Sequence, residues 1–528
     1  MESDKSSPVK SKIGIIGAGI SGIAAVKELA KHNPIVFEAT GSIGGVWKHC
    51  TFASTRLQTP RCDFEFSDYP WSNRDDPSFP THLEVLDYLH GYVARFDLLK
   101  YVMFDSKVVE LRYVGDREAG RIPPEEKISG EHGSMMKGHP VWEVAVEHGR
   151  DDSLKRIQWY AFEVVVVCVG KYGDFPRIPQ AFPQNKGPEV FRGTVMHSMH
   201  YSKLNQDDAE MLLRGKKVVV VGYKKTAIDL AMECAKANQG QDGQPCTLVV
   251  RTVHWTVPSY KVWGLPFYMF YSTRFSQFLH ERPEQGLLGS FLRHLLSPLR
   301  GGISKFVESY LLWKLPLEKY GLKPDHPFEE DYASCQMAIL PEDFFSEADK
   351  GNIQFKRVTS KWCFWEGGLE FMDGTRIEAD VVIFATGYEG KRKLDFIMPE
   401  PFRSLVVGSN SVMPLYRGTV HPLIPNMAFL GYVESVSNLH TSEMRSKWLA
   451  SLLDDGFELP SREEMVRAVN EETEVMKRTT RYYKKKPCIS TFSINHTDDI
   501  CRDIGINPWR KKGWLQEAFS PYSSHDYS

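Results

Sequence analysis

The stretch from Lys12 to Glu38 limits what this chain can become more than any other. Lys12-Ile13-Gly14-Ile15-Ile16-Gly17 is a short apolar run that ends in a glycine turn, and Ile23 to Lys31 follows with alanines and leucine at helical spacing. Strand, tight turn and helix are therefore expected, and the turn, Gly17-Ala18-Gly19-Ile20-Ser21-Gly22, has the spacing G-x-G-x-x-G. Gly17 permits the turn, Gly19 lets the backbone approach a pyrophosphate, and Gly22 lets helix and strand pack closely. Ser21 lies at the helix N-terminus, which attracts negative charge. A second apolar run, Ile35-Val36-Phe37, ends in Glu38, where a carboxylate can accept hydrogen bonds from a ribose hydroxyl. A purely structural glycine turn would leave Glu38 without a reason, so a bound dinucleotide is expected.

The same pattern recurs. Val218 to Val221 reaches Gly222, Thr226 to Ala237 reads as a helix, and Thr247 to Arg251 as a strand. This second turn, Gly222-Tyr223-Lys224-Lys225-Thr226-Ala227, keeps the first glycine and a small last residue but has Lys224 at the middle glycine's place. A Cβ there hinders close approach of a backbone, and an ammonium compensates in part by pairing with phosphate. Arg251 ends the next strand with no carboxylate beside it, which suits a 2'-phosphate and favours NADPH over NADH; a plain surface arginine is the competing reading. The expected fold is α/β, with two Rossmann-like dinucleotide-binding domains, the second, NADPH-binding one inserted in the first. The segments are 1–205 (first domain, first part), 206–325 (NADPH domain) and 326–528 (first domain, second part and C-terminal tail).

At 528 residues the chain exceeds what one core supports, and 42% hydrophobic with 25% charged residues is ordinary for a folded enzyme. The net charge of -2 offers no basic field for nucleic acid, and Lys484-Lys485-Lys486 reads as a solvated patch. Nine cysteines without a C-x-x-C pair give no metal site and suit a reducing compartment, with the thiols idle or buried. Met1 to Lys12 has neither signal nor transit character, and the apolar stretch Val262 to Tyr271 is about half of what a spanning helix needs. A cytoplasmic protein without an integral membrane segment is expected, with peripheral association with the endoplasmic reticulum left open. The aromatic stretch Val262 to Leu315 reads as helical core of the second unit, ahead of a substrate mouth or a membrane-surface patch.

Past Glu38, Gly44-Gly45-Val46-Trp47 completes E-x5-G-G-x-W, and here the chain resembles the flavoproteins with two dinucleotide folds, which makes FAD the first cofactor. Phe191 to Tyr201 contains F-x-G-x-x-x-H-x-x-x-Y, with Gly193, His197 and Tyr201, the pattern of flavin-containing monooxygenases. Cys168-Val169-Gly170 with Pro176 and Pro179, Phe384-Ala385-Thr386-Gly387-Tyr388, and Leu415 through His421-Pro422 to Gly431-Tyr432 resemble that family's linkers and final FAD-domain segment. The resemblance implies that His197, Thr386 and Gly387 belong to hinges between domains. It also implies that NADPH reduces FAD, that reduced flavin and O2 form a C4a-hydroperoxide, and that its distal oxygen passes to a soft nucleophile. Gln58 falls where animal members carry an asparagine beside the flavin, so it is the candidate for stabilising that peroxide. The chain most resembles the plant defence branch, whose best-known activity is N-hydroxylation of pipecolic acid. That implies a small amine or cyclic amino acid and O2 as partners and a role in systemic defence signalling. S-oxygenation of thioethers, oxidative decarboxylation of indole-3-pyruvate and a non-oxygenating FAD/NADPH sensor are the alternatives. A disulfide reductase is disfavoured because Cys50 and Cys62 lie too far apart for its redox pair.

Overall fold

The protein is described here from a computed structural model, which covers residues 7–115, 138–150, 155–179, 182–240, 242–358, 361–408, 412–484 and 487–528. The polar stretch Asp116–Lys137, whose composition reads as a surface loop, and Lys485-Lys486 lie outside these residues.

Two parallel-centred sheets organise the chain. The first has the order β3-β2-β1-β6-β5-β4, built from β1 (Val9–Ile16), β2 (Ile35–Phe37), β3 (Val102–Met103), β4 (Ser106–Tyr113), β5 (Trp142–His148) and β6 (Arg156–Val167). The half of β6 from Arg156 to Phe162 pairs antiparallel with β5. Its end, Val165–Val167, pairs parallel with β12 (Met427–Phe429), which returns from near the C-terminus. Residues 156–162 and 165–167 thus belong to one continuous strand with different partners along its length. Its Val164–Val167 run is buried, as a parallel sheet covered on both faces requires.

The second sheet has the order β10-β9-β8-β11-β7, every pair parallel, with β7 (Thr194–His197), β8 (Val218–Val221), β9 (Cys246–Val250), β10 (Ile353–Arg357) and β11 (Val381–Phe384). Only β8 and β9 fall in the expected segment 206–325; β7, β10 and β11 come from either side of it. Parallel neighbours need long crossovers, so sheet membership does not follow contiguous segments.

Helix α1 (Ile20–Glu28) covers the first sheet and packs on α5 (Asn438–Leu453), burying Ile23, Val26, Trp448 and Leu449 with Ile13 and Val36. Helix α2 (Lys225–Ala237) does the same for the second sheet through Ile228, Ala231, Val220 and Leu248. The stretch 262–315 does not all pack as core. Val262, Phe267, Tyr271, Val307 and Leu311 are buried, but α3 (Leu287–Leu295) holds no buried residue, and Leu287 on it is 93% exposed. The apolar side chains that precede α4 (Ser297–Lys314) face outward. Among the described residues no helix is long and apolar enough to cross a membrane.

Candidate functional site

Gly17 sits at φ 101°, and its N–H donates to the carbonyl of Phe37 at 2.8 Å, so the turn is bonded to the end of the neighbouring strand. A Cβ on Gly17 would lie 2.8 Å from the carbonyl oxygen of Cys168 at the end of β6, and one on Gly22 would collide with the carbonyl of Gly17. Across the turn lies the Gly44-Gly45 loop. Gly44 N–H donates to Ala18 at 3.1 Å, and a Cβ on Gly45 would stand 3.2 Å from the Cα of Gly19. No side chain stands between Gly19 and Gly45. Glu38, 8% exposed, accepts from Ala18 N at 2.8 Å, from Thr40 N at 2.9 Å and from Thr40 Oγ1 at 2.7 Å. A carboxylate has about four acceptor positions, so Glu38 can hold the turn and still take a ribose hydroxyl. Val46 and Trp47 open the short helix Val46–His49, and the Trp47 ring meets Phe64 edge-on at 6.1 Å. Ser21 Oγ lies 3.0 Å from Ser442 Oγ, joining α1 to α5.

The second turn repeats the plan. Gly222 has φ 145°, its N–H donates to Val249 at 3.0 Å, and a Cβ would lie 2.6 Å from the carbonyl oxygen of Ala385 at the end of β11. Lys224 takes extended backbone as the residue before α2, and its ammonium donates to the amide oxygen of Gln336. Thr226 is half-buried in the first turn and Ala227 is fully buried against the sheet. Arg251, exposed just past β9, makes no ion pair among the described residues.

Whether these turns fit phosphates can be judged at the helix ends. Neither α1 nor α2 has a side chain capping its N-terminus, whereas the helix His82–Arg95 carries a full capping box between Thr81 and Glu84. The first-turn N–H groups of α1 and α2 are thus left for another acceptor, and a phosphate at the glycine turn supplies one. The first turn admits a dinucleotide backbone against Gly19 and Gly45; the second admits one beside an ammonium.

Between the units, Thr386 Oγ1 donates to the carbonyl of Arg177, Arg177 N donates to Gly387 at 2.8 Å, and Pro176 bridges to Tyr388. The two linker segments are therefore laced together. Gly193 lies where a Cβ would collide with the carbonyl of Asp380. His197, 1% exposed at the end of β7, accepts from Met199 N at 3.1 Å, and its ring faces Tyr388 at 5.4 Å; burial pushes its imidazole down to about 4, so it is neutral. Tyr201 donates to Glu233 on α2 at 2.6 Å, and the other oxygen of Glu233 accepts from Ser54 N at 2.8 Å. Gln58 accepts from the N–H of Ile339 through its amide oxygen at 3.2 Å, which fixes the amide and leaves its NH2 to donate elsewhere.

Three partnerships were not legible beforehand: the Lys224–Gln336 clasp, the Tyr201–Glu233–Ser54 bridge, and a disulfide between Cys335 and Cys488, 153 residues apart. The disulfide departs from the expectation that the thiols are idle or buried; no spacing rule links partners so far apart. Among the described residues His254, His326 and Asp331 form the grouping with metal-ligand atoms close together. Asp331 accepts from His254 Nδ1 at 2.8 Å and from Trp255 N at 2.6 Å, so hydrogen bonding accounts for this buried cluster.

Comparison with known proteins agrees with this layout. The model of the flavin-binding monooxygenase-like family matches residues 10–513. The chain is 60% identical, over its whole length and 98% of the relative's, to a protein from Arabidopsis thaliana described as probable flavin-containing monooxygenase 1. Among solved structures it resembles an oxidized steroid monooxygenase bound to NADP, with TM-score 0.64 and 18% identity over 94% of this chain and 98% of the other. It also resembles an S-allyl-L-cysteine S-oxygenase from Allium sativum, with TM-score 0.53 and 21% identity over 95% and 90%. With two glycine turns uncapped at their helices, a family match spanning both sheets and a full-length relative of this identity, the chain belongs to the flavin-binding monooxygenase-like family.

Proposed function

We propose that the protein uses FAD at the Gly17–Gly22 turn and NADPH at the Gly222–Ala227 turn to insert one oxygen atom of O2 into the nitrogen of a small amine, with a cyclic amino acid such as pipecolic acid as the substrate type. The observation that carries the cofactor reading is the bare Gly19–Gly45 approach at the uncapped N-terminus of α1, with Glu38 at the ribose position. The bound flavin supplies the redox chemistry. The protein's residues hold it and exclude water: Gly19 and Gly45 admit the pyrophosphate, Glu38 takes a ribose hydroxyl, Trp47 and Val46 wall the approach, and the Gln58 NH2 is the donor offered to the flavin edge. Lys224, Thr226 and Arg251 serve the phosphates of the second nucleotide. Gly193, His197, Tyr201, Thr386 and Gly387 join the two units and set how they meet.

N-hydroxylation is supported by the likeness to the plant branch, and the fold is shared with enzymes of other substrates, so the substrate is decided by assay. Purified protein loaded with FAD should consume NADPH and O2 and yield N-hydroxypipecolic acid close to one per NADPH. Sulfoxide from a thioether amino acid without any hydroxylamine would keep the cofactor reading and overturn the amine. Hydrogen peroxide as the sole product with every substrate would overturn both.

A further inference from the structure

Gln58 ends a short strap, residues 52–58, that follows the Val46–His49 helix of the first unit and crosses to the second. On one side the strap is bonded to the chain that leads into the helix His82–Arg95. Leu57 N donates to the carbonyl of Pro80 at 2.8 Å, and His82 N donates to that of Thr55 at 3.1 Å. Its other side is fastened to the second unit. Ser54 N donates to Glu233 at 2.8 Å, Ser54 Oγ donates to the backbone carbonyl of Asp229 at 3.3 Å, and Gln58 accepts from Ile339 N at 3.2 Å. Phe52 packs against the second unit's core, with its ring edge-on to Tyr201 at 5.7 Å.

Both fastenings lead back to the second glycine turn. Glu233 and Asp229 lie on α2, which that turn opens. Glu233 also accepts from Tyr201, so one carboxylate ties α2, the Phe191–Tyr201 linker and the strap, through hydrogen bonds that its charge strengthens. The second route runs through Gln336, which accepts from the Lys224 ammonium and lies three residues before Ile339. The strap thus belongs by sequence to the first unit and by half of its bonding to the second.

We propose that Glu233 is a positioning residue: through Ser54 it fixes the strap on the NADPH unit, so that the unit holding the second nucleotide places the Gln58 amide at the flavin edge. The inference rests on the function proposed above and adds to it how the second unit governs the use of oxygen. With the strap in place, one atom of O2 reaches the substrate and the other leaves as water, with two electrons from NADPH. With the strap loose, the same two electrons and two protons leave on O2 as hydrogen peroxide, and no product forms.

Hydrogen–deuterium exchange on the FAD-loaded full chain tests this without turnover. In wild type, NADP+ should slow exchange both at residues 222–227 and in the strap. In E233A the strap should exchange about tenfold faster, the scale of losing one hydrogen bond to a charged group, and should no longer respond to NADP+ while residues 222–227 still do. E233Q, which can accept from Ser54 N and donate to Tyr201, should behave as wild type. A strap in E233A that exchanges and responds as in wild type would overturn the proposal. Turnover gives a second reading: the share of NADPH electrons recovered as hydrogen peroxide should rise about threefold in E233A, with flavin bleaching by NADPH within about twofold of wild type. An unchanged share, or bleaching slowed as much as the share rises, would overturn the positioning role. Should NADP+ slow exchange at neither place, the nucleotide assignment proposed above fails. The strap is then judged on ligand-free exchange, where a faster E233A than E233Q upholds the proposal and equal rates overturn it. If E233A does not fold, Y201F/S54A is read by the same exchange and the same peroxide share.

Discussion

At the first turn Gly17 donates to Phe37 and leaves no room toward Cys168; at the second Gly222 donates to Val249 and leaves no room toward Ala385. Each helix that follows is uncapped by any side chain. The divergence comes two residues in, where Gly19 faces Gly45 and Lys224 reaches Gln336. It continues at the end of the next strand, where Glu38 is folded back onto its own turn and Arg251 stands exposed. One turn is built for backbone against backbone and holds its carboxylate nearby. The other is built for charge against charge. On the proposed function the first turn holds FAD and the second NADPH.

The largest effects should come from filling the shared part of the plan. Gly17→Ala and Gly222→Ala each add a Cβ against a backbone carbonyl at a positive φ, which should cost about 3 kcal/mol of stability, read as a lower Tm. The comparison predicts that G17A also loses flavin, seen as the ratio of visible to protein absorbance, while G222A keeps it and loses NADPH-driven reduction. If G222A sheds flavin equally, the division of labour is wrong. Next in size, Arg251→Ser should raise the KM for NADPH by about 30-fold, a loss of about 2 kcal/mol from charge-assisted hydrogen bonds, and leave that for NADH nearly unchanged. Lys224→Ala should raise the KM for NADPH by about tenfold, and Lys224→Gly by less, because the glycine restores close approach as it removes the charge. A larger loss with glycine than with alanine would mean that the ammonium alone matters. Smallest, Tyr201→Phe removes one hydrogen bond between the units and should lower stability by about 1 kcal/mol in denaturant melts without changing flavin content.

Much of this comparison is legible in the sequence because it is local. Gly17, Glu38, Gly222 and Arg251 sit at fixed offsets from apolar runs, and the strands and helices lie within a few residues of where periodicity puts them. What is not legible depends on distant partners. Nothing near Lys224 announces Gln336, and nothing near Gln58 announces Ile339, which takes up the amide oxygen. The second sheet borrows β10 and β11 from beyond the expected segment because a parallel neighbour can arrive from anywhere in the chain. The helix α3 differs from the expected core for another reason. Apolar spacing shows that Leu287 to Leu295 could be covered, and only the assembled fold shows that the chain does not cover it.

The most direct test of the two-turn account is anaerobic titration of the FAD-loaded protein with NADPH, followed by the visible flavin band, in wild type, G19K and R251S. The account predicts that wild type bleaches fully with one NADPH per flavin, that G19K is isolated without the band, and that R251S keeps the band but needs about 30-fold more NADPH to reach the same rate of bleaching. A G19K protein that retains its flavin and instead fails to respond to NADPH would contradict the assignment of the two turns.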